Sequence, residues 1–422
     1  MRAKTFVVAA VAAAALLTPS IASADVAVDW NRTLVDALYT SHTAPQPGTR
    51  LGAIVQTSVF DSINGITRRY AQFRPDLLGD APHGASAAAA GASAAYTALL
   101  ALFPAQKANF DAQLAASLAQ IPGAHGAGGG SQAVRRGLDW GRTVANAIIA
   151  WRAGDGVNTV LPDYVPGTQP GDWLPQPGLV NPVFRQFATM VPWTMTSPAQ
   201  YRPTARPSLT SPQYLADLAQ VRALGNAATV TPEHADIARF WQGKFDTVAT
   251  LWNRTADSLV ELRGWSITQN ARLFALLNVA LADSTIAVWD AKNAFNFWRP
   301  ITPIHLVDPT WQPTIPTPNH QEFPSGHSGA SGAAATVLAS FFGEGTTFTV
   351  VADGVAAAGN TRTFAGFAPA LEEVALARVY GGIHFLGSCF TAQTMGRLLA
   401  EQAMATQMQP LHGEAGQEGD EG

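Results

Sequence analysis

Eleven prolines between Gly154 and Pro212 divide this chain into two stretches that can be helical and one that cannot. Each proline removes a backbone donor and clashes with the preceding turn, so no helix runs through that segment. Before it, 85–102, 105–118 and 132–152 carry apolar residues at three- and four-residue spacing among good helix formers. After it the same period returns over 212–224, 231–241 and 247–262, in a long run over 266–297, and then over 326–342, 368–380 and 387–404. Alternating Val/Ile/Thr-rich strands do not appear in number, so the expected fold class is mainly α: helical bundles in two packed halves, with the Pro-rich stretch as a long insertion. Structureless loops of that length are usually functional or disordered. Trp173, Phe184 and Trp193 favour an ordered loop wrapped over the core.

Composition excludes several function classes. Charged residues make up 13% of the chain, about half of the roughly 25% usual for a soluble domain. Its 26 Lys and Arg stand against 30 Asp and Glu, so there is no polybasic footprint and nucleic acid is not an expected partner. The single Cys389 excludes an internal disulfide framework and a Cys-rich metal site. Arg2 and Lys4, the apolar run Phe6 to Leu17 and Ala22-Ser23-Ala24 read as a signal peptide over 1–24, with a mature, exported chain starting at Asp25. Without Arg2 and Lys4 the balance is 24 minus 30, or −6. The apolar run is too short for a stable span, and no later stretch of 18 uncharged apolar residues follows, so the chain is not expected to be membrane-embedded. The expected organisation is an N-terminal helical half with the Pro-rich loop (25–205), a C-terminal catalytic half (206–407) and a disordered acidic tail (408–422). The Gly-rich 126–130 lacks the Lys-Ser/Thr ending of a phosphate loop and reads as a linker.

Three separated segments place cationic or anion-binding groups at helix ends or on one helix face. In Trp289 to Pro300, Lys292 and Arg299 are seven residues apart, two turns of helix, which predicts one shared face; Pro300 is expected to stop that helix. In Pro324-Ser325-Gly326-His327, Ser325 is a natural N-cap and Gly326 permits close backbone approach, so a helix N-terminus offers its N–H groups to an anion beside His327. In Arg378 to His384, Gly381 and Gly382 break the helix and let a guanidinium and an imidazole meet one ligand from different sides. Together these groups suit a multiply charged oxyanion.

The ordered set Lys-x6-Arg-Pro, Pro-Ser-Gly-His and Arg-x5-His, from Trp289 to His384, resembles the signature of vanadium-dependent haloperoxidases and type 2 phosphatidic acid phosphatases. The resemblance implies vanadate or phosphate as the bound group, held by Lys292, Arg299 and Arg378 with the Ser325 hydroxyl and the Gly326 N–H. It implies His384 as the axial vanadium ligand or, in a phosphatase, the nucleophile, and His327 as the acid–base group. Trp289 and His320 match halide-pocket positions and favour halide oxidation, with hydrogen peroxide, halide and a small organic acceptor as partners and the oligomeric state left open. Such a reaction needs no haem, flavin or thiol.

One position departs from the pattern. Family members commonly place Asp four residues after the last histidine, where this chain has Ser388. A carboxylate there orients the imidazole; Glu372, Glu373, Asp283 and Asp290 are the substitutes considered, with no basis in sequence for choosing. A secreted acid phosphatase acting through phosphohistidine is the alternative, and a non-catalytic oxyanion binder a third reading. A serine hydrolase fails, since Gly326-His327-Ser328-Gly329-Ala330 lacks the final Gly of a nucleophile elbow and no strand precedes it. His42, His83, His125, His234 and His412 need only surface or helix-start roles, and His305 is assigned to packing.

Overall fold

The structure, a computed structural model, describes residues 25–124, 131–243, 246–352 and 360–411. The signal-peptide assignment, the 126–130 linker, His125, His412 and the acidic residues of the tail lie outside the described residues.

The N-terminal half is built from α1 (Val26–Thr40), α2 (Pro45–Thr67), α3 (Ala87–Leu102), α4 (Lys107–Gln120) and α5 (Gln132–Ala153). After the Pro-rich segment come α6 (Pro212–Leu224), α7 (Pro232–Gln242), α8 (Val248–Val260), α9 (Ile267–Phe295), the short α10 (Ile301–His305), α11 (Gly326–Phe342), α12 (Phe367–Tyr380) and α13 (Leu386–Thr406). A small antiparallel hairpin, β1 (Phe348–Val351) with β2 (Thr361–Phe364), is the one sheet among the described residues.

Helix α9 is the axle. It is long and apolar enough to cross a membrane by composition, but 94% of its most apolar window is buried inside the molecule, as expected of a core helix. Helices α2, α11 and α13 all pack on it. One continuous apolar cluster therefore runs from Val26 in α1 to Leu399 in α13.

Sequence periodicity misses α1 and α2. In α2, buried residues follow one another from Gly52 to Gly65 with no solvent-facing stripe, so the amphipathic period that marks a surface helix is absent. The Pro-rich segment is ordered over the core. Asp283 of α9 accepts the backbone N–H of Trp193 (2.7 Å) and Thr194 (2.8 Å), and Arg152 donates to the carbonyls of Val191 (2.8 Å) and Pro192 (3.4 Å). Met408–Leu411, assigned by sequence to the tail, is also packed: Ala71 N–H donates to Gln409 O (2.7 Å) and Leu411 N–H to Arg69 O (3.0 Å).

The long helix ends earlier than its sequence suggests. Asn296 takes the left-handed conformation (φ 47°) and caps α9 after Phe295. Asn tolerates that region because its short polar side chain bonds locally, here accepting from the Tyr164 hydroxyl at 2.7 Å. Pro300 does not stop α9; it opens α10 as its N-cap. Lys292 and Arg299 consequently do not share a helix face.

Candidate active site

Lys292 and Arg299 reach the same region by different routes, Lys292 from the last turns of α9 and Arg299 from the turn beyond it. Two of the three N–H groups of Lys292 go to main-chain carbonyls, Gln321 O at 2.7 Å and Glu322 O at 2.9 Å. Arg299 donates through Nε to His320 O (2.8 Å), through Nη1 to Ile383 O (2.8 Å) and His384 Nε2 (2.9 Å), and through Nη2 to the His320 ring (3.1 Å). Main-chain carbonyls therefore stabilise both buried cations, which an apolar surround alone would not.

Ser325 is the N-cap of α11, and its hydroxyl accepts Ser328 N–H at 3.5 Å, so the N–H groups of Gly326 and His327 head the helix. A Cβ on Gly326 would lie 3.2 Å from the Trp289 ring, so a larger residue here would push on the wall of the site. Close approach continues along α11. A Cβ on Gly396 of α13 would fall 2.1 Å from Gly329 O, so the two helices touch backbone to backbone.

Arg378 leaves the last turn of α12 and His384 follows the Gly381-Gly382 turn, where Gly382 adopts φ 74°. Arg378 Nη2 donates to Gln242 Oε1 at 2.8 Å, while its buried Nε and Nη1 have no partner in the protein. A buried guanidinium with unspent donors is the strongest single pointer to an anion.

A cavity of about 220 Å³ joins these pieces, lined by Trp289, His320, Gly326, His327, Arg378 and His384, with Gln46 and Thr49 of α2, Phe184 of the Pro-rich loop and Gln242 of α7. Lys292, Arg299 and Ser325 do not line it. Arg299 is tied to it through His384 and His320, and Lys292 stands 5.7 Å from the Trp289 ring centre. The Trp289 and His320 rings are 5.2 Å apart, so the two residues matched to halide-pocket positions form one wall.

Behind His384 lies a residue that the sequence did not single out. Glu322 Oε1 is 2.8 Å from His384 Nδ1 and accepts Phe385 N–H at 3.1 Å; the carboxylate is fully buried. The four substitutes considered for Ser388 are all engaged elsewhere or exposed. Asp283 holds Trp193 and Thr194, Asp290 pairs with Arg202, Glu373 with Arg362, and Glu372 is exposed. The signal for Glu322 was its place in Glu-Phe-Pro-Ser-Gly-His, one residue ahead of the Phe-Pro turn that positions Ser325. Gln242 carries no such signal, because nothing local distinguishes it from any helix-terminal glutamine.

Arg299 can only donate, so His384 Nε2 is the acceptor of that bond and Nδ1 carries the hydrogen given to Glu322. Burial, reinforced by Arg299 and Lys292, holds the His384 imidazole well below its ordinary value. His327 is lowered by burial and by Arg378, and His320 by burial and Arg299. Burial also pushes Lys292 well down and Arg299 to about 9. Glu322 is raised by burial to about 7, against the pull of Lys292 and Arg299. The site thus holds a neutral imidazole whose Nε2 accepts from Arg299, with Lys292 and Arg378 as the other basic side chains around it. That donor set fits an oxyanion that accepts one nitrogen ligand, as vanadate does.

Residues 272–413 match the model of the family described as the VCPO second helical-bundle domain. A bacterial vanadium-dependent iodoperoxidase superposes with TM-score 0.77 at 22% identity, over 92% of this chain and 97% of that one. A bacterial vanadium-dependent chloroperoxidase superposes in its apo form with TM-score 0.67 at 15% identity (85% of this chain, 92% of that one) and in its holo form with 0.66 at 16% (92% and 94%). The fold is that of the vanadium-dependent haloperoxidases. No curated protein matches the chain significantly. The matched domain of this haloperoxidase fold contains Lys292, Arg299, Glu322, Ser325, His327, Arg378 and His384, while Gln46, Thr49, Phe184 and Gln242 come from outside it.

Proposed function

We propose that the protein is an exported vanadate-dependent haloperoxidase that oxidises halide, bromide in preference, with hydrogen peroxide. The observation that carries this reading is the neutral His384, its Nε2 turned to the cationic pocket and its Nδ1–H held by Glu322. Lys292, Arg299 and Arg378 would hold the oxygens of vanadate, with the Ser325 hydroxyl and Gly326 N–H, and His384 Nε2 would be its single protein ligand. Bound there, vanadate supplies a Lewis-acidic centre that activates hydrogen peroxide toward halide.

The chain's own residues do the rest. His327, kept neutral by burial and Arg378, is an unprotonated base ready to take a proton from peroxide. Arg378 brings its unpartnered Nε and Nη1 to developing negative charge without reorganisation. Lys292, fixed by the Gln321 and Glu322 carbonyls, would add its remaining N–H from the end of α9. Trp289 and His320 keep water from the halide side. Export rests on Arg2, Lys4, the apolar run Phe6 to Leu17 and Ala22-Ser23-Ala24 in the sequence.

The phosphatase reading keeps one observation in its favour. Glu322 restores a carboxylate partner to His384, which a phosphohistidine nucleophile also needs. The deciding assay is peroxide-dependent bromination of an activated diketone by the mature protein in phosphate-free buffer, with and without orthovanadate. Bromination only after vanadate loading is expected. Hydrolysis of an aryl phosphate, inhibited by vanadate and without bromination, would establish the phosphatase instead.

A further inference from the structure

A second and larger cavity lies against the far side of Arg299. It measures about 850 Å³ and is walled by Trp173–Pro177, by Ile301, Thr302 and His305 of α10, and by Gln312–Pro318. Pro318 lines both this space and the 220 Å³ catalytic cavity, so the two adjoin at that residue, while Arg299 lines only the larger one.

The sizes divide the labour. Pockets that hold drug-sized organic molecules run from about 300 to 1,000 Å³. The catalytic cavity is below that range, with space for an oxyanion, peroxide and halide. The second cavity is well inside it.

Its walls set the chemistry of what it holds. Pro175, Pro177, Pro313, Pro316 and Pro318 present rigid apolar faces, with Ile301 and Ile315 between them. No Asp, Glu or Lys is among its lining residues, and the one cation, Arg299, has its donors directed to the His320 and Ile383 carbonyls and to two imidazoles. A charged ligand gains no partner there and loses its hydration. Polar groups for a neutral ligand are present. His305 gives Nε2–H to Trp311 O at 2.8 Å, and Thr302 and Gln312 add a hydroxyl and an amide to the lining.

The walls are also preformed. Thr314 N–H donates to Gly225 O (3.1 Å) and Ile315 N–H to Gly381 O (3.1 Å), while Gln176 N–H donates to Asn319 Oδ1 (3.0 Å). Little ordering remains to be done on binding.

We propose that this cavity binds a neutral, electron-rich aromatic acceptor, a phenol or naphthol, and presents it to hypohalous acid leaving the catalytic cavity past Pro318. The inference rests on the haloperoxidase reading, which supplies the hypohalous acid from halide and peroxide. In the step itself the aromatic carbon attacks halogen, the carbon–halogen bond forms as the halogen–oxygen bond breaks, and the displaced C–H proton and hydroxide leave as water.

The test uses 1-naphthol and the full mature protein, with Thr302→Trp and Gln312→Trp as two independent fillings of the cavity, each checked for an unchanged circular dichroism spectrum. Binding is measured by saturation-transfer NMR without vanadate or peroxide, and the ratio of 2-bromo to 4-bromo product is then measured on loaded enzyme against the ratio given by free hypobromite. Expected are at least tenfold weaker binding in both variants, a product ratio distinct from the free reagent in the wild type, and a return to the free-reagent ratio in the variants. Affinities within twofold of wild type in both variants would overturn the site. Bromination with the free-reagent ratio in the wild type would overturn the acceptor role while leaving the haloperoxidase reading intact. Binding with no bromination at all would overturn it through failure of that reading.

Discussion

Glu322 ties two blocks of the site together and leads directly into the third. Its N–H donates to Phe297 O (2.9 Å), its carbonyl accepts Lys292, and its carboxylate accepts from His384 and Phe385. Glu322→Gln keeps the shape and removes the charge. At pH 8, above the value of about 7 to which burial raises this carboxyl, the variant is expected to lose about 10–100-fold in vanadate affinity, the usual cost of losing a partner behind a ligand. Sulfate, which takes no nitrogen ligand, should bind as well or more tightly, because the pocket gains net positive charge. Calorimetric titration of both anions checks this, and an equal fall in both would reduce Glu322 to a structural role. His384→Ala should likewise abolish the preference for vanadate over sulfate, whereas His327→Ala should keep vanadate binding and lose most turnover, which vanadate titration and the diketone assay read separately. At this scale residue type was legible and spacing was not: Lys292, Arg299, Ser325, His327, Arg378 and His384 could be named because each stands in a short motif, but the seven-residue interval from Lys292 to Arg299 is not two turns of one helix. Glu322 and Gln242 were not, because their partners lie 62 and 136 residues away and only the fold brings them together.

Elements set the distances between those residues. The contact of Gly396 with Gly329 O draws α13 onto α11, the helix that Ser325 caps and whose first turn holds His327. Gly396→Ala gains about 1 kcal/mol of helix propensity. The added methyl, 2.1 Å from a carbonyl that cannot rotate away, forces the helices apart at a cost typical of overpacking, about 1–3 kcal/mol. A net loss in urea-induced unfolding, accompanied by weaker vanadate binding, is the expected outcome; an unchanged vanadate affinity would show that the site tolerates the shift. Helix α11 was read from sequence with its observed ends, since Ser325 caps it and Gly343 ends it. The end of α9 was not. A periodic pattern continues past Phe295, and the left-handed Asn296 that turns the chain is stabilised by Tyr164, in the part of the sequence with no period at all.

Over the whole molecule, the N-terminal helices are part of the site and not only its support. Gln46 and Thr49 of α2 reach the catalytic cavity, and the apolar core is shared between the halves. The mainly helical class was legible from period and from the scarcity of strands; the pairing of α2 with α9 was not, because a helix buried on every side carries no directional pattern. The same burial gives the molecule a pH response away from the site. Asp61 in α2 accepts Phe73 N–H (2.7 Å) and Arg74 N–H (3.1 Å), yet burial raises it to about 7 from an ordinary 3.8. Between those values the folded chain holds a proton that the unfolded chain has released, so this group's contribution to stability falls as pH rises through the window. Asp61→Asn lacks that dependence, and its melting temperature relative to wild type should climb from pH 4 to pH 7. A constant difference across scanning calorimetry at several pH values would show that Asp61 stays ionised.

Trp173 N–H donates to Asn296 O (2.8 Å) and Trp298 N–H to Gly171 O (2.9 Å), so a short stretch of the Pro-rich loop is zipped to the turn between Lys292 and Arg299. That zip makes the loop a tuning screw. Shortening or re-sequencing the loop near Gly171 would reposition Arg299 without altering any residue of the three motifs. Homologous chains with identical signatures and different loops need not handle the same anion alike, and a designer seeking to retune this pocket has a handle nearly 130 residues away from it in sequence.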